Sequence, residues 1–161
     1  MKPIDKTISH IFLFIIVTCA LPASIFGQDK KAATKAMIDS RHFTFHAQTA
    51  IPLSGRSKQL TTEYYLTVLG DSIVSELPYY GRAYSAGYGT NEGGFSFTTT
   101  KFEYTSTPTK KGGWDITIKP KDQKDLRQFS LSVSATGYGN LQALSNNRQP
   151  ISYHGYISAV K

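Results

Sequence analysis

HFTFHAQTAI, residues 42–51, alternates side chains in a period of two: Phe43, Phe45, Ala47, Thr49 and Ile51 fall on one face, and His42, Thr44, His46 and Gln48 on the other. Successive side chains of an extended strand point to opposite sides, so this pattern predicts a strand with one face buried. The rhythm recurs to the end of the chain. Tyr64, Leu66 and Val68 share a face in TTEYYLTVLG, Phe95 and Phe97 in GGFSFTTT, and Phe102 and Tyr104 in KFEYTST. Trp114, Ile116 and Ile118 do so in GGWDITIKP, Phe129, Leu131, Val133 and Ala135 in QFSLSVSA, and Ile151, Tyr153, Gly155 and Ile157 in ISYHGYISAV.

Turn-forming residues stand between these runs: Gly70-Asp71, Gly93-Gly94, Lys111-Gly112-Gly113, Gly137 to Asn140 and Asn146-Asn147. With the short runs Ser72–Glu76 and Asn140–Leu144, about nine strands are expected on short connections. Strands so joined pair antiparallel, because a parallel pair needs a long crossover. The expected fold is therefore all-β, an antiparallel meander forming either a lipocalin-like barrel or a sandwich. The barrel is favoured because it hides sheet edges. Ahead of it, DKKAATKAMIDS (Asp29 to Ser40) is rich in helix formers and predicts one short N-terminal helix, with Ala33, Ala36 and Met37 on one side.

The first residues have a different character. Lys2 and Lys6 precede an apolar core, Ile11 to Leu21, which is followed by Pro22 and small residues. This is the order of a secretory signal peptide, and its core is well short of the roughly 20 residues a spanning helix needs. Cleavage after Gly27 is preferred, which makes residues 1–27 the leader and 28–161 a single β domain with no transmembrane segment. Ala23 is a competing cleavage position, and IVTC offers a lipid-modified Cys19 as a third route. The expected location is accordingly periplasmic or secreted, with an outer-membrane lipoprotein as the alternative. Cys19 is the only cysteine, so the domain has no disulfide and depends on burial for stability.

The formal charge is +7, an excess that can attract polyanions. The basic residues are spread along the chain, however, and the one dense run, KPKDQKDLR at Lys119–Arg127, also contains Asp122 and Asp125. It reads as a solvated loop, and no nucleic-acid partner is expected.

The longest irregular stretch, Leu77 to Gly94, holds Tyr79, Tyr80, Tyr84 and Tyr88 together with Arg82 and Asn91. Tyrosine offers a broad, amphipathic contact at low entropic cost, and long loops on rigid scaffolds often bind ligands. The same composition would suit a structured turn capping a barrel. Arg82 could stack on a ring or grip an anion, or else pair with Glu76 or Glu92.

Other chemistry finds less support. His42 and His46 would be about 13 Å apart on a strand, too far to share one metal ion, and no metal or cofactor is expected. Gly70-Asp71-Ser72-Ile73 has the letters of an esterase motif, but no Asp stands three residues before His154, and a hairpin turn explains it better. GYG occurs at residues 87–89 and 137–139, which suggests two turns projecting Tyr88 and Tyr138.

Several longer segments carry a resemblance: FTFHAQTAIPLSG (Phe43 to Gly55), TTEYYLTVLGDSIVSELPYYGRAY (Thr61 to Tyr84), GGFSF, KKGGWDITI and SLSVSATGYGNLQALSNNRQPISYHGYI (Ser130 to Ile157). LPYYGRAY and NNRQPISYHGYI are the most specific pieces. The chain resembles the exported family of Gram-negative bacteria known as domain of unknown function 4251. The resemblance implies a secreted or periplasmic single β domain of lipocalin-like or sandwich character, and brings no activity or catalytic residue with it. Gly81, Arg82, Asn147, Arg148, Tyr153 and Gly155 lie in the recognisable pieces.

The expected function is a non-enzymatic binding or envelope-associated module. Its candidate ligand-binding residues are Tyr79, Tyr80, Arg82, Tyr84, Tyr88, Arg148 and Tyr153, which would take a small apolar ligand or a glycan at the barrel mouth. The alternatives are a structural or protein-interaction component of the cell envelope and a hydrolase in which Asp71, Glu76 or Glu103 would meet His154. A monomer is expected.

Overall fold

The computed structural model describes residues 25–82 and 93–160. A helix, α1 (Ile25–Ser40), leads into nine strands: β1 (His42–Pro52), β2 (Lys58–Leu69), β3 (Ser72–Leu77), β4 (Phe95–Thr99), β5 (Phe102–Pro108), β6 (Trp114–Pro120), β7 (Leu126–Val133), β8 (Tyr138–Ser145) and β9 (Ile151–Ser158). They form one sheet in the order β4-β3-β2-β1-β9-β8-β7-β6-β5, and every pairing is antiparallel. The sheet is a nearly closed barrel, so the meander and the helix are as the sequence predicts, and of the two forms left open the chain takes the barrel.

How the barrel closes follows from the register. The edge strands β4 and β5 are separated only by Thr100 and Lys101 and make one bent segment that pairs with β3 in its first half and β6 in its second. Paired residues run sideways from Ser96 through Glu76 and Tyr65 to His46. From the next residue, Ala47, they run on through Gly155, Gly139, Val133 and Trp114, and arrive back on that segment at Pro108. The sheet thus returns to the same piece of chain further along it, a stagger that tilts the strands and leaves little open edge. The seam is pinned from the β6–β7 connection. The Thr99 hydroxyl lies 2.9 Å from both carboxylate oxygens of Asp122, and the Lys121 amide donates to the Lys101 carbonyl at 2.7 Å.

The interior is filled by the chain's own side chains. Phe43, Phe45, Leu66, Phe129, Leu131 and Tyr153 are buried within one apolar cluster that draws on β1 to β4 and β6 to β9, and Phe129 stacks on Phe97 and meets Phe95 edge-on. A barrel of about eight strands is just wide enough for such filling.

On β1 the register slips between Ala47 and Thr49 against both neighbours. The expected inward face is therefore correct only as far as Ala47: beyond it Ala50 and Pro52 are buried, while Thr49 and Ile51 are half-buried. One extra residue in a strand of period two turns every later side chain to the opposite face, which is what a β-bulge does.

Helix α1 lies across the end of the barrel where β1 begins. Ile38 is fully buried, and Thr34 approaches Gly137 in the β7–β8 turn. Arg41, in the left-handed region at φ 54°, turns the chain from helix to strand; its amide donates to the Ile38 carbonyl, and its carbonyl accepts from the Gly70 amide at 2.8 Å. Gly70 itself has φ 62° at the first of two loop residues between β2 and β3, the position at which a II′ hairpin requires glycine. The GDS letters are thus a hairpin. Among the described residues no helix is long and apolar enough to cross a membrane.

Candidate functional site

The connections after β1, β3, β6 and β8 gather at the end opposite α1, and four of the predicted site residues meet there. Beyond β3, the Pro78 carbonyl accepts a 2.6 Å hydrogen bond from the hydroxyl of Tyr153 on β9. The Tyr79 hydroxyl lies 2.9 Å from the Arg82 carbonyl and 3.0 Å from that of Gln149, and the Gln149 amide donates to the Arg82 carbonyl at 3.0 Å. Arg82 therefore joins the network through its backbone, with its side chain exposed to solvent.

Arg148 holds this end together. Its Nε pairs with the Asp125 carboxylate at 2.8 Å and one terminal nitrogen donates to the Gly93 carbonyl at 2.9 Å. The guanidinium plane lies over Tyr79, 5.1 Å from the ring centre, and near Phe95 at 5.6 Å. A planar group with several donors can bond at its edge and stack on its face together, which lysine cannot do. Asp125 also accepts from the Ser145 hydroxyl at 2.8 Å. The run read as a solvated loop thus contributes two anchoring carboxylates, Asp122 at the seam and Asp125 at the mouth. Their positions in a charged, hydrophilic stretch gave no sign of partners so distant in the chain.

Tyr80 stands beside this network. The Lys58 ammonium lies 4.2 Å from the centre of its ring, and Tyr80 lines an open hollow of about 310 Å³ with Tyr64, Glu76, Pro78, Tyr79 and Gly94. Burial, and the neighbouring Tyr64, raise the pKa of its hydroxyl. Burial likewise pushes the Tyr153 hydroxyl far above its ordinary range. Tyr84 and Tyr88 lie outside the described residues, as does Glu92. Glu76, the other predicted partner of Arg82, accepts from the Ser96 hydroxyl at 2.8 Å.

A larger hollow, about 610 Å³ and open to solvent, lies elsewhere on the barrel's outer surface. It runs from Trp114 and Lys111 at the helix-capped end across Asp115, Asn140 and His154 to Gln48 at the β1 bulge. The Ser132 hydroxyl donates to Asp115 at 2.6 Å. The carboxylates that a hydrolase would have set beside His154 are not in this lining. Asp71 lies in the β2–β3 turn, Glu76 is bonded to Ser96, and Glu103 is paired with Lys121, which holds its carboxyl below the usual range. His42 and His46 have separate partners, Nδ1 of the first at 2.7 Å from the Ser40 carbonyl and Nε2 of the second at 2.9 Å from the Ser158 hydroxyl.

A family model described as "Domain of unknown function (DUF4251)" matches residues 27–157. No curated protein matches. Among solved structures, the crystal structure of a DUF4251 family protein from Bacteroides eggerthii is similar, with a TM-score of 0.59 and 13% identity over 81% of this chain and 88% of that one. At that identity the likeness speaks for the fold.

Proposed function

The chain belongs to the DUF4251 family, and from that premise we propose that it is an exported, non-enzymatic binding module that takes a small ligand at the outside of the barrel mouth. The carrying observation is the contrast at that end: the polar atoms of Tyr153 and Arg148 are bonded within the chain, while Tyr80, Lys58 and the side chain of Arg82 border or face solvent. The first group forms a fixed platform and the second a contact surface. Because the interior is filled, the ligand sits on the rim. Lys58, seated over the Tyr80 ring, and the exposed Arg82 supply cationic donors, so a small ligand with an anionic group suits the rim. Export rests on the charged, apolar and small-residue order of residues 1–27.

Native mass spectrometry of protein recovered from the cell envelope tests this. The wild type carries an added small mass that a Tyr80→Ala, Arg82→Ala double variant has lost. A clean apo mass for the wild type, or the same added mass on both proteins, overturns it.

A further inference from the structure

The large hollow lies on the flank of the barrel, away from the mouth, and the side chains in and beside it are arranged in rows; of the first row Tyr138 lines it, while His46 and Tyr156 border it and line a smaller neighbouring hollow. On the outer face of β1, β9 and β8, His46, Tyr156 and Tyr138 are cross-strand partners. The His46 ring stacks on Tyr156 at 5.1 Å, and Tyr156 meets Tyr138 edge-on at 6.5 Å. The two tyrosines are among the few large apolar side chains left in solvent, Tyr138 being 65% and Tyr156 37% exposed. The next outward row, two residues along β9 and β8 and three along β1 across its bulge, is polar: Thr49, His154, Asn140, Ser132 and Asp115 are successive cross-strand partners, with Gln48 beside them at the bulge. Between the two rows, Gly155 and Gly139 are paired inward-facing positions without side chains.

We infer that this groove binds a neutral oligosaccharide. A sugar ring has an apolar face that packs on a tyrosine and an edge of hydroxyls that both donate and accept. Amide and hydroxyl side chains answer such an edge, since each offers both roles. The strands space the polar groups about 4.8 Å apart, a regular repeat suited to an extended chain of like units. The charge pattern gives an acidic partner no local advantage. In a chain of formal charge +7, this lining carries Lys111 and Asp115 as its fixed charges, which balance. An anionic ligand would gain nothing here over the rest of the surface.

The molecule holds its own reporter, because its single tryptophan, Trp114, lines the groove. The probes are a set of neutral oligosaccharides spanning α- and β-linked glucose, mannose, galactose and xylose hexamers, with oligogalacturonate as the acidic control. Titration of the processed protein should give a saturable change in tryptophan fluorescence with at least one neutral member and none with the control. Tyr138→Ala and Asn140→Ala, both of exposed residues, should each weaken that binding at least tenfold while circular dichroism stays unchanged; Tyr80→Ala, at the mouth, should leave it intact. Silence across the neutral set, equal response to the acidic control, or undiminished binding by both groove variants overturns the inference. Loss on Tyr80→Ala alone would do so as well, because it would move the sugar to the mouth.

Discussion

The Tyr153 hydroxyl donates at 2.6 Å to the carbonyl of Pro78, a residue 75 positions earlier in the chain. It is the one polar atom of a fully buried side chain, and it fastens the start of the tyrosine-rich segment to the last strand. The start of that segment is therefore held to the barrel by the core itself.

Removing that hydroxyl should cost stability without opening a cavity of any size. Tyr153→Phe leaves the Pro78 carbonyl unpaired in a buried setting, and a loss of about 1–3 kcal/mol is expected. Urea unfolding monitored by circular dichroism measures it.

Arg148→Lys keeps the charge but cannot bond Asp125 and Gly93 while stacking on Tyr79. The expected loss is about 1.5–3 kcal/mol, in the range for hydrogen bonds to charged groups. Amide exchange should accelerate first at residues 79–82 and 93–94, which the guanidinium holds to the barrel; unchanged exchange there would count against its anchoring role.

At the seam, Thr99→Val removes a hydroxyl bonded to a carboxylate and should destabilise by about 1.5–3 kcal/mol. Exchange in β4 and the first residues of β5 should rise more than in β1 or β9, because β4 and β5 are the edges of the sheet.

Alkaline pH should weaken the fold in a predictable window. Burial, opposed by Arg41 and aided by Asp39, raises the Tyr104 hydroxyl from 10.0 to about 12. Below pH 10 folded and unfolded chains both hold that proton. Between pH 10 and about 12 the unfolded chain releases it first, so stability falls as pH rises. Tyr153 and Tyr80 are shifted in the same direction. Urea midpoints measured across that window should decline less steeply in Tyr104→Phe than in the wild type.

Gly155→Ala would set a Cβ 1.9 Å from the His46 carbonyl oxygen, backbone that has no room to retreat at the bulge. A loss at the upper end of overpacking, about 3 kcal/mol, or failure to accumulate folded protein is expected on expression and thermal melting.

The strands were legible because burial on one face writes a period of two, and the turns because Gly70, Gly112 and Gly137 occupy left-handed positions. The bulge at Gln48 was not, since nothing local distinguishes HAQTAI from a regular strand; the slip belongs to its pairing with both neighbours. Nor was the closure through Thr100 and Lys101 legible, because the bend lacks glycine or proline and its cause is the stagger of the whole sheet. At the mouth the tyrosine-rich segment was visible by composition. The residues that anchor it were not: Arg148 and Tyr153 reach partners at Asp125 and Pro78 that only the folded chain brings near.

The barrel is filled by its own side chains, which leaves the outside of the mouth for the proposed ligand. Two-dimensional NMR of the processed, isotope-labelled protein, titrated with a small-molecule extract of the cell envelope, tests it most directly. Shifts should concentrate at Lys58, Tyr80 and Arg82, with the signals of Phe43, Leu66 and Leu131 unmoved; shifts led by those interior residues would contradict that placement.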